Sequence, residues 1–64
     1  MSLSAELGSI SSTIDQLVER LEQMATNLDG TPREDLAMGL HDIERNLRAG
    51  SRRLERLMRD LSGT

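Results

Sequence analysis

The chain has 64 residues, no cysteine, no Phe, Trp or Tyr, one His and a formal net charge of −3. That leaves room for one small domain, removes disulfides and thiolate metal sites, and removes the aromatic platforms on which single-stranded nucleic acids stack. No apolar run approaches the ~20 residues of a membrane span, and residues 1–12 lack the basic start and continuous apolar core of a signal peptide, so a protein of the reducing cytoplasm with no membrane role is expected.

In the first half, apolar residues fall at Leu3, Leu7, Ile10, Ile14, Leu17, Leu21, Met24 and Leu28, with spacings that alternate between four and three. This is a heptad, with Leu7, Ile14, Leu21 and Leu28 at position a and the others at d. Val18 and Ala25 widen the stripe at e, which suits a bundle better than an isolated two-stranded coil. The pattern predicts a helix over about 3–29. Gly8 and the Ser9, Ser11, Ser12, Thr13 cluster are poor helix formers, and the first two turns are expected to fray.

Asp29-Gly30-Thr31-Pro32-Arg33-Glu34 carries stop and start signals together. Gly30 suits the left-handed conformation that ends a helix. Thr31 suits an N-cap, Pro32 the first helical position, and Glu34 completes a capping box with Thr31. A link this short forces two helices antiparallel.

The second half repeats the period at Leu36, Leu40, Ile43, Leu47, Gly50, Leu54, Leu57 and Leu61, which predicts a helix over about 32–61 and a short unstructured tail, 62–64. Met58 adds width at e. Gly50 interrupts the d column, where it either admits a large residue from a facing helix, allows close approach, or leaves a cavity. Met24 and Met58 are read as core fillers, and Met38, at f, as an exposed apolar contact.

Two antiparallel helices touch along one line and leave much of each apolar stripe wet. With no aromatic residue and no staple, a lone hairpin of this size recovers too little burial to offset its lost chain entropy. The expected solution is a homodimer in which two all-α hairpins form a four-helix bundle, with the a and d residues from Leu7 to Leu61 as its core.

Charge is divided along the chain. Residues 1–31 hold Glu6, Asp15, Glu19, Glu22 and Asp29 against Arg20, whereas all other arginines lie later. Arg45, Arg52 and Arg59 occupy f, with Arg48 at b and Arg56 at c, an array expected on the outer face of the second helix. Three readings follow: a solvated face with ion pairs Glu44–Arg48, Glu55–Arg59 and Arg56–Asp60; a strip for an acidic protein surface, including the acidic face of another copy; or an anion site for nucleic acid or a nucleotide.

Catalysis finds little support. His41 and Asp42 are adjacent, point about 100° apart on a helix and make no chelating pair, so His41 reads as an outer-face residue. The glycines are scattered and build no phosphate loop. No catalytic, cofactor or metal residue is expected. The expected function is a non-enzymatic interaction or regulatory module, with nucleic-acid binding through the arginines, or a purely structural oligomerisation element, as alternatives.

Leu28-Asp29, then Asp35-Leu36, then Leu40-His41-Asp42 resembles the plasmid copy-number regulators of the Rop (repressor of primer) family. The resemblance spans the turn and the start of the second helix, and implies a homodimeric four-helix bundle of hairpins. That family's RNA-contacting face lies on its first helix and uses basic, amide and aromatic side chains. The matching positions here, Ser2, Ser9, Thr13, Leu17 and Met24, are neither basic nor aromatic, so the resemblance carries over an architecture and not that face.

Overall fold

The computed structural model describes residues 2–62, which form two α-helices, α1 (Leu3–Leu28) and α2 (Glu34–Ser62), packed as an antiparallel hairpin. The first turns of α1 are helical. Ser2 caps the helix, its hydroxyl accepting from the Ala5 N–H at 3.3 Å while its carbonyl accepts from Glu6 at 3.1 Å. Thr13 Oγ1 donates back to the Ser9 carbonyl at 3.0 Å, so this hydroxyl is satisfied inside the helix instead of competing with it.

At the other end of α1 the Asp29 N–H is shared between the carbonyls of Ala25 and Thr26, at 3.1 and 3.3 Å, and Gly30 adopts φ +78°. That left-handed backbone costs an L-residue with a Cβ roughly 1–2 kcal/mol, which is why glycine stands there. Thr31 makes a capping contact, its Oγ1 accepting from Arg33 N–H at 3.2 Å, but within the turn and not as the residue next to the helix. Glu34 instead reaches one residue further back, its Oε1 accepting from Gly30 N–H at 2.9 Å. Thr31–Arg33 form a tight turn, and regular helix begins at Glu34, two residues later than expected. Ser62 is the last residue of α2 and not part of a tail. Gly63 and Thr64 lie outside the described residues.

The line along which the helices meet is displaced from the expected seam. The best-buried residues are Ser11, Val18 and Ala25 on α1 and Ala37, Glu44 and Ser51 on α2, all at heptad position e. The a column, Leu7, Ile14, Leu21 and Leu28 with Leu40, Leu47 and Leu54, is half-buried beside it. The small side chains at e let the backbones approach; the larger leucines at a close one flank of the contact.

The register is set by contacts on the other flank. Ser51 Oγ donates to Asp15 Oδ1 at 3.0 Å, Arg48 Nη2 donates to Glu22 Oε2 at 3.0 Å, and His41 Nε2 lies 3.8 Å from Asp29 Oδ2. The result is a slab of 51 × 17 × 11 Å over the Cα atoms, only one helix thick in its shortest dimension. Among the described residues no large side chain is fully buried.

Candidate interaction surfaces

Position d faces outward on both helices. Leu3, Ile10, Leu17 and Met24 of α1, and Leu36, Ile43 and Leu57 of α2, are between 43% and 57% exposed, and Leu61 adds to the same side. With the half-buried a residues they form one continuous apolar face. Met24 is therefore a surface residue of the single hairpin, while Met58 is half-buried and Met38, 72% exposed, stands apart as expected. Gly50 lies in the α2 d column and a Cβ built there meets nothing within 4 Å. It serves no close approach inside the hairpin and leaves a notch in the apolar face.

The opposite side of the slab is polar, and here the arginine array needs correction. Arg48 does not belong to an outer strip: it leans over the seam, pairing with Glu22 of α1 at 3.0 Å and standing 3.8 Å from Glu44. The acidic face of α1 thus meets an arginine of its own chain. His41 is half-buried, between Asp29 just beyond α1 and Glu44, and not on the outer face. Both residues occupy position b, which flanks the buried e column once that column is the line of contact.

Arg45 pairs with Asp42 one turn earlier. Arg52, Arg53, Arg56 and Arg59 are exposed and make no ion pair among the described residues; neither Glu55–Arg59 nor Arg56–Asp60 comes within ion-pair distance. The free cationic surface is thereby concentrated on the last three turns of α2, where Arg53, Arg56, Leu57 and Asp60 line a surface depression.

Glu44 was legible in the sequence only as half of a surface ion pair, yet its side chain is 7% exposed. Its Oε1 has no hydrogen-bond partner among the described residues, with His41 Nδ1 3.5 Å away and Arg48 Nη2 3.8 Å from Oε2. A carboxylate held this way stabilises little, since desolvation offsets most of its attraction to long-range partners. The described residues contain no group of His, Asp and Glu placed to hold a metal ion, and no helix long and apolar enough to cross a membrane. Comparison with family models, with curated proteins and with solved structures finds no match for this chain.

Proposed function

We propose that this chain is a non-enzymatic interaction module that self-associates through its a/d face into a homodimeric four-helix bundle of hairpins, and works in the cytoplasm by docking on another macromolecule. The observation that carries the reading is the outward d column together with Leu61. Eight large apolar side chains at about half exposure amount to roughly 700 Å² per hairpin, close to the ~800 Å² per partner of a stable interface. A contiguous apolar surface of that size on so small a chain marks an interface. Recognition of a further partner falls to Arg52, Arg56 and Arg59, with Arg45 and Arg48 engaged within the chain, and an acidic protein surface is the complementary chemistry.

Sedimentation equilibrium over a range of concentrations, with helicity followed by circular dichroism on the same samples, tests the assembly. A helical dimer is expected. A helical monomer at all concentrations overturns self-association, and a poorly helical monomer means that the rest of the core belongs to a different protein.

The arginines without ion-pair partners also favour a second reading, nucleic-acid or nucleotide binding. Phosphate contacts release counterions, so that affinity would fall steeply between about 50 and 200 mM salt. A purely structural oligomerisation element, in turn, would keep its full activity in cells after Arg52→Gln and Arg56→Gln.

A further inference from the structure

We infer that the second copy docks with its turn at the same end of the bundle, so that α1 of each hairpin lies against α2 of the other and Leu17 of each copy seats over Gly50 of its neighbour. This inference rests on the self-association proposed above and adds its geometry.

The contacts Asp15–Ser51, Glu22–Arg48 and Asp29–His41 run down one helix as they run up the other, and this register brings Leu17 and Gly50 to the same height on the apolar face. Leu17 is a 43% exposed knob, and the space over Gly50 is open. Two such faces can be brought together in two symmetric ways. If like helices face each other, an axis at this level sets Leu17 against Leu17 on one side of the bundle and Gly50 against Gly50 on the other, and an axis half a layer away still sets Leu17 against Ile10 or Met24 on one side while both glycines stay on the other. One helix pair is then held apart at the level where the other has a void. If unlike helices face each other, both sides receive the same leucine-into-glycine fit, and the next layers pair Met24 with Ile43 and Ile10 with Leu57. Cores pack to high density by opposing large residues to small ones, which favours the second arrangement.

Charge points the same way. α1 carries Glu6, Asp15, Glu19 and Glu22 against Arg20, whereas the second half of α2 carries Arg48, Arg52, Arg53, Arg56 and Arg59. Counting Glu55 and Asp60, that half of α2 still has an excess of positive charge, and facing unlike helices sets the acidic first half of each α1, with Glu6 and Asp15, beside the second half of both its own α2 and its neighbour's, within the ~8–10 Å over which charges act at physiological salt. The like-charged Glu6 and Asp60 come level only at the open ends, where they are exposed and screened.

The chain has no cysteine, so a single label can be placed at will. Arg33→Cys, at the exposed turn, carries a spin label for pulsed dipolar distance measurement on samples first shown by sedimentation to be dimeric. Turns at the same end give inter-label distances within about 30 Å, since neighbouring helices lie ~10 Å apart. Turns at opposite ends of a 51 Å slab give distances beyond about 40 Å and overturn the orientation while leaving the dimer intact. A monomer, or an assembly larger than a dimer, instead overturns the reading underneath. Gly50→Leu provides the packing test: it fits the isolated hairpin, so it folds, but is expected to weaken dimerisation at least tenfold, with Leu17→Ala in the same chain restoring most of the loss. Undiminished dimerisation by Gly50→Leu alone overturns the knob-in-notch contact.

Discussion

Ser51 donates its hydroxyl to Asp15 at 3.0 Å, a hydrogen bond that joins the middle of α2 to the first half of α1. Ser51 is buried and Asp15 exposed, so the pair stands at the border between seam and solvent. That contact exists because position e holds small side chains at Ser11, Ala25, Ala37 and Ser51, which let two helix backbones come close enough for short polar groups to reach across.

Close approach at e makes the seam intolerant of added volume. Ala25 has no exposed surface, and Ala25→Leu should destabilise the fold by about 1–3 kcal/mol through overpacking. Thermal unfolding at fixed protein concentration checks this; an unchanged midpoint would show that the e column is not the line of contact.

Glu44 is the opposite case, a residue the fold would be better without. Its buried Oε1 is unsatisfied, and its neighbours His41 and Arg48 are half-exposed, so its removal leaves no buried unpaired charge. Glu44→Met, close in volume, is expected to stabilise the protein by about 1 kcal/mol or more in a denaturant titration. A loss of stability would mean that the carboxylate is better solvated or paired than its surroundings indicate.

Glycine substitutions should divide by backbone conformation. Gly30, at φ +78°, should lose about 1 kcal/mol or more on change to Ala. Gly39 lies in the interior of α2 with open space where a Cβ would stand, and Gly39→Ala should gain up to about 1 kcal/mol. Opposite signs in paired unfolding measurements are the expected result, and equal signs would contradict the assigned turn.

At the turn, Glu34→Ala removes the side chain that accepts from the Gly30 N–H, with an expected cost of about 0.5–2 kcal/mol. Thr31→Ala should cost a similar amount by removing the acceptor for Arg33 N–H. The double variant should be less destabilised than the sum of the two, because both side chains hold the same turn.

Leu21 and Leu54 are half-buried at a, beside the seam and on the apolar face at once. Leu21→Asp or Leu54→Asp places a charge where both contacts close, at a cost of several kcal/mol. Helicity and self-association should be lost together, and a folded monomeric variant would separate the two.

Much of this architecture is written in spacing. The alternation of four and three from Leu3 to Leu28, and again from Leu36 to Leu61, is compatible only with helices, and Asp29-Gly30-Thr31 holds enough turn chemistry to make them antiparallel. These are local signals, and local physics suffices to read them. Which edge of the stripe faces inward is a different matter. Positions d and e both flank a on the helix surface, so an apolar a/d pattern with Val18 and Ala25 at e leaves either side able to meet the neighbouring helix. Only the packed hairpin decided for e, because small residues there permit an approach that leucines at d would block. The consequences could not be read residue by residue. Glu44 and Ser51 look like surface positions until their column is the seam, Arg48 and His41 look outward until b becomes its flank, and the leucines and isoleucines of d lie outside the seam within one hairpin.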